Sequence, residues 1–195
     1  QRRITSSLAE TASTFAEALV RGGLIAQSKD DAERLALLDQ ELQDAAVFLL
    51  NIPVRFEFER ALYEMRAKSP LSPKALTERM LALQKQWYGP ALGQPHPLFW
   101  AEKLHFYIGG ASFYNFPYTF GYLFSGMVYS RAMEEGPEWA TAYEALLRDT
   151  GAGPAETTVE RHLGKRLDAA ETWTPALKRI ETMVGEYEQL AKRFS

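Results

Sequence analysis

Apolar residues recur along this chain every three or four positions and nowhere sustain a period-two alternation, so helices are predicted and strands are not. In SSLAETASTFAEALVRGG, Leu8, Ala12, Phe15 and Leu19 are spaced by four, three and four and predict one apolar helix face. Ser6 or Ser7 suits its N-cap and Gly22-Gly23 its stop, while Glu10, Thr14, Glu17 and Arg21 share the other side. A long helical pattern follows from Asp30 to Lys68, with Asp30 and Asp31 suited to its start and Pro53 predicting a kink near Asn51. SPLSP is a turn, and Ser72-Pro73 opens a helix to Tyr88. YGPALGQPHPLFW, rich in proline and glycine, reads as an extended connection. Further helices are predicted from Asn115 to Met133, in GPEWATAYEALLRDTG, in GPAETTVERHLG and over TWTPALKRIETMVGEYEQLAKRF. The last would bury Leu177, Ile180, Val184, Tyr187 and Leu190. The fold class is all-α, and no linker or repeat divides residues 1–195, which read as a single unit.

Composition narrows the function classes. An apolar content of 46% and a charged content of 24% fit a folded globular chain. A formal net charge of −3 without basic runs offers no footprint for nucleic acid or for an anionic membrane. No apolar run reaches membrane-spanning length, and QRRITSSLAE holds no signal-peptide core. With no cysteine, disulfides, thiolate nucleophiles and cysteine zinc sites are excluded, which is compatible with a cytoplasmic setting. The chain does not start with methionine and is expected to be a piece of something longer.

Candidate chemistry concentrates in two places. Glu10 and Glu17, seven apart, project from nearly one line of a helix. Such a pair is ordinarily a solvated face, and becomes functional only if other elements set a metal or cation opposite it. The second place is HFYIGGASFYNFPYTFGYLFS, His105 to Ser125, which gathers a histidine, paired glycines and four tyrosines. Tyr114, Tyr118 and Tyr122 recur every four residues and share a face wherever the stretch is helical. They read equally as an aromatic core stripe or as donors in a cleft. Gly109-Gly110 adds backbone freedom beside His105, as a segment closing over an oxyanion would need. His96 and His162 read as ordinary, and no HExxH occurs in the chain.

AETASTFAE (Ala9–Glu17) and HFYIGGASFYNFPYTFGYLFS together resemble the oligoendopeptidase F group of thimet-oligopeptidase-like (neurolysin-like) zinc metallopeptidases. HLGKRLDAAETWTPALKRIE also looks like the C-terminal part of such an enzyme, so the resemblance covers the whole chain. It implies an all-α catalytic-domain portion acting on short peptides. Glu10 would then be the third protein ligand of the zinc, and Glu17 a carboxylate behind it orienting a ligating histidine. It further implies that His105, Tyr114 and Tyr122 hold the substrate and its tetrahedral intermediate, with Tyr118 a weaker candidate. Gly109 and Gly110 would be the hinge. The family's HExxH helix would lie upstream of Gln1, so the chain alone is expected neither to hold zinc nor to cleave peptides, and the groove left by that helix could drive self-association. A competing expectation is a non-catalytic helical module that binds a partner peptide in its aromatic cleft.

Overall fold

The computed structural model describes residue 8, residues 10–110 and residues 112–194. Ser6, Ser7 and Ala9, the expected caps and the start of the first motif, lie outside them. The described residues are helical with no strand and fall into two compact units. One comprises residues 1–45 and 120–195, the other residues 46–119.

In chain order the helices are α1 (Thr11–Ala26), α2 (Asp31–Ala46), α3 (Ile52–Arg66), α4 (Pro73–Tyr88), the short α5 (Phe99–Glu102), α6 (Phe116–Glu135), α7 (Trp139–Asp149), α8 (Ala155–Leu163) and α9 (Thr174–Ala191). Caps set several of these ends. Asp30 Oδ1 accepts the Glu33 N–H at 2.8 Å while Glu33 Oε2 accepts the Lys29 N–H at 2.7 Å, a reciprocal closure of the α2 start. Ser72 Oγ accepts the Ala75 N–H at 3.2 Å, with Pro73 in the first turn of α4.

The kink expected near Asn51 is a π turn over Val47–Asn51. The Ile52 N–H reaches back five residues to the Val47 carbonyl, and the next donor in that register would be Pro53, which has none. The Phe48 carbonyl thus receives a side-chain donor instead, the Thr119 hydroxyl at 2.6 Å.

Within residues 46–119 the core is Val54, Phe58, Leu62, Met80, Leu83 and Phe106. The buried Gln84 amide latches the proline-rich connection to α4: it donates to the His96 carbonyl at 2.9 Å and accepts the His96 N–H at 2.8 Å. Within the other unit, Leu8, Phe15, Phe124, Val128, Trp139, Leu146 and Val159 make one cluster, and Ile25, Leu38, Met183 and Leu190 a second.

Two helix faces differ from the sequence expectation. Helix α1 buries Thr11, Phe15 and Ile25, while Ala12 and Leu19 are exposed, and it runs through Gly22-Gly23 to Ala26. Gly22 is an interior residue there, because a β-carbon would collide with the Tyr129 hydroxyl. Helix α9 buries Ala176, Met183 and Leu190, leaving Leu177 and Val184 exposed. In both, small side chains lie on the buried line because it is where another helix comes close. No described helix is long and apolar enough to cross a membrane.

Thr119→Val keeps the shape of the side chain but removes the donor to the π turn. It should lower stability in urea unfolding by about 1–2 kcal/mol, whereas Val20→Ala, on the exposed side of α1, should stay within about 0.5 kcal/mol.

Candidate functional site

Within residues 46–119, His105 lies in a tight helical turn, Leu104–Tyr107, and Tyr114 in the turns just before α6. Tyr114 is therefore not on a helix and does not share a helical face with Tyr118, as a four-residue spacing alone suggests. It reaches its neighbours through rings. His105 and Tyr114 stack with centroids 5.0 Å apart and planes at 13°, and the Tyr114 and Tyr118 rings are 6.0 Å apart at 60°. Tyr114 is 44% exposed while His105 and Tyr118 are half-buried, so the row opens to solvent at Tyr114. His105 Nδ1 is buried with no hydrogen-bond partner among the described residues. The Tyr107 hydroxyl donates to the Trp100 carbonyl at 3.0 Å, which occupies it structurally.

The backbone that carries Tyr114 is strained. Phe113 has φ of +56°, a left-handed conformation that a bulky residue seldom adopts, and Gly110 takes φ of +86° at no such cost. What holds Phe113 there is Glu59, 1% exposed on α3. Its Oε1 accepts the Phe113 N–H at 2.6 Å and the Tyr63 hydroxyl at 3.1 Å, while the Phe113 ring packs 5.3 Å from Phe56 and 5.6 Å from Tyr63. A buried carboxyl group fixed to a strained amide is a positioning device for the residue that follows. Asn115, 1% exposed, accepts an Arg55 N–H on Oδ1 at 3.2 Å.

The first motif and Tyr122 belong to the other unit, residues 1–45 and 120–195. Glu10 precedes α1, and its backbone carbonyl receives the Thr14 N–H at 3.1 Å and the Thr14 hydroxyl at 2.6 Å. Its β-carbon lies against Gly121, where an added β-carbon would come within 3.0 Å, so Glu10 packs beside the residue preceding Tyr122. Glu17 is exposed two turns on. Among the described residues no three His, Cys, Asp or Glu side chains gather as a metal site.

Tyr122 sits near a compact ion network. Glu41, 5% exposed, lies between Arg21 at 3.1 Å and Arg179 at 3.3 Å, with Asp44 also on Arg21. Burial pushes the Tyr122 phenol up to about 12; Glu41 adds to the rise and Arg179 opposes it. The hydroxyl is a protonated donor throughout the neutral range.

Sequence reasoning singled out His105, Tyr114 and Tyr122 as candidates and passed over Glu59, Arg55 and Asn115. A signal existed: Glu59 is seven residues from Ile52 and three from Leu62, on the same line as residues that are buried. A charged residue in phase with a core stripe needs a specific partner.

The comparisons with known proteins agree with this architecture. The family model for peptidase family M3 matches residues 1–178, and the chain belongs to that family. It is an oligoendopeptidase F-like region of it. The chain is 26% identical over 186 residues to oligopeptidase PepF of Bacillus subtilis (strain 168), covering 94% of this chain and 27% of the relative. It is 27% identical over 190 residues to the plasmid oligoendopeptidase F of Lactococcus lactis subsp. cremoris, covering 95% and 31%. The crystal structure of oligoendopeptidase-F from Enterococcus faecium superposes with a TM-score of 0.80 at 26% identity, over 97% of this chain and 36% of that one. The chain thus spans about a third or less of the length of these relatives.

Two outcomes follow. Because the Tyr122 phenol is held neutral more strongly folded than unfolded, its contribution is full below about pH 10 and is lost as pH rises towards 12; the thermal midpoint of the parent should fall more steeply over that window than that of Tyr122→Phe. Glu59→Ala should open the segment around Phe113 to limited proteolysis, whereas Glu59→Gln, whose amide oxygen can still accept the Phe113 N–H, should stay largely protected.

Proposed function

We propose that residues 1–195 act together as the C-terminal, substrate-binding portion of the catalytic domain of a zinc-dependent oligoendopeptidase that hydrolyses short peptides in the cytoplasm. The observation that carries this reading is the row in which His105 stacks on Tyr114, open to solvent at Tyr114 and held by a strained and clamped backbone, within a chain of peptidase family M3. A core stripe would need no such clamp.

The residues of this chain take substrate-side roles in that reading. The His105, Tyr114 and Tyr118 rings line the peptide, and its backbone amides find the imidazole and phenol groups as partners. The Gly109-Gly110 pair lets the segment adjust around a bound chain. Tyr122, its phenol pushed up to about 12 and so neutral at physiological pH, donates its proton in a hydrogen bond to the oxyanion that forms as the carbonyl is attacked. Zinc is a question of donor set. Glu10 offers one carboxylate and Glu17 could steady a ligand, but catalytic zinc takes three protein ligands, and the described residues alone do not make that set. The remaining ligands belong to a HExxH helix outside this sequence, and without it the chain is inactive. The exposed Val20 and Leu24 of α1, 64% and 51% accessible, are the surface through which the chain alone would self-associate.

The test compares this chain with the same chain joined to whatever its gene encodes upstream of Gln1. Only the longer protein should bind zinc at one equivalent and cleave a quenched fluorescent peptide. In it, Tyr122→Phe should lower kcat about 10²- to 10³-fold with little change in KM. A longer protein that binds the peptide without zinc and without cleavage would point instead to a non-catalytic binding module.

A further inference from the structure

In a chain of formal net charge −3, two cations converge on one aromatic ring without an acidic partner. The Arg55 guanidinium carbon lies 5.5 Å from the Phe99 ring centroid, and Lys103 Nζ lies 4.8 Å from the same centroid. Ion pairs within residues 46–119 join Arg60 to Glu57, Lys74 to Glu78 and His96 to Glu102. Neither Arg55 nor Lys103 forms one among the described residues. Arg55 gives one N–H to the neutral Asn115 Oδ1, and its Nε is buried with no partner. Asn115, 1% exposed, likewise leaves Nδ2 without a partner. Burial pulls the Arg55 guanidinium below its ordinary range, an effect that Tyr88 and Tyr118 offset only in part.

Two like charges on one ring, one of them half-buried, repel each other and lose hydration. A structural role for Arg55 as a brace for Asn115 accounts for one hydrogen bond. It does not account for Lys103, for the Arg55 Nε or for the Asn115 Nδ2. An anion would answer all three. Its kind follows from the place: Asn115 is the residue after Tyr114, whose ring stacks on His105, and Tyr118 belongs to the same row. Aromatic walls beside an amide and two cations suit the carboxylate of a peptide.

We propose that Arg55 and Lys103, with the Asn115 amide, form a carboxylate-binding subsite that anchors a negatively charged group of the peptide beside the His105–Tyr114 row. This rests on the peptidase reading and adds to it a substrate preference. The carboxylate can come from the peptide C-terminus, which would tie cleavage to chain length, or from an acidic side chain.

The test uses the chain joined to the residues its gene encodes upstream, and one neutral quenched fluorescent sequence made three ways: free acid, C-terminal amide, and amide ending in glutamate. The wild type should prefer one or both carboxylate-bearing peptides to the neutral amide by about tenfold or more in kcat/KM. Preference for the free acid alone identifies the terminus; preference shared by the glutamate amide identifies any carboxylate. In Arg55→Gln the ratio should fall to about one, and in Lys103→Gln it should fall partway. Because the ratio is taken within each variant, partial misfolding does not move it. Equal rates for all three peptides in the wild type, or an unchanged ratio in Arg55→Gln, overturns the subsite. If no peptide is cleaved at all, the peptidase reading fails by itself. Anisotropy of the same three peptides, dye-labelled, then decides the subsite by the same ratio, read in Kd.

Discussion

One buried carboxyl group governs the geometry of the candidate site. Glu59 accepts the amide of Phe113, and that bond lets a phenylalanine remain where the backbone favours glycine. Everything downstream depends on it. The reversed turn at Phe113 sends Tyr114 onto the His105 ring and sets Asn115 against Arg55 before α6 begins at Phe116. A segment with two glycines just before it would otherwise sample many paths. The carboxyl selects one of them from 54 residues away in sequence.

The second unit supplies different physics. There the protein invests in charge rather than strain: Glu41 between two arginines, close to a phenol whose proton burial retains. A neutral hydroxyl in such surroundings is a fixed dipole, needing little reorganisation when a negative charge develops nearby. Strain fixes a row of rings in one unit, and burial keeps a donor protonated in the other.

How much of this was legible in the sequence depended on the range of the cause. Local chemistry was readable. Asp30, Ser72-Pro73 and Pro53 act within a turn of themselves, and the helix starts and the kink fell where they indicated. The break from regular helix after His105 was readable too, because that composition is costly for a plain helix. Helix phase was harder. Thr11, Gly22 and Ala176 lie on lines where another helix approaches, and their small size hid them from a count of large apolar residues. Least visible were Glu59 and Arg55. A charged side chain in a helical pattern normally faces water, and only a partner distant in sequence reveals that it does not.

The π turn at Val47–Asn51 has a consequence for how this region can vary in length. Such a turn holds one residue more than an α turn requires. A deletion there would be absorbed by ordinary winding, and α3 would keep the side it turns to its own core. The same deletion inside α3 would rotate everything beyond it by about 100° and carry Phe58 and Glu59 off their partners. Gains and losses of single residues among relatives should therefore collect at this loop of slack, leaving the helix that follows it untouched in length.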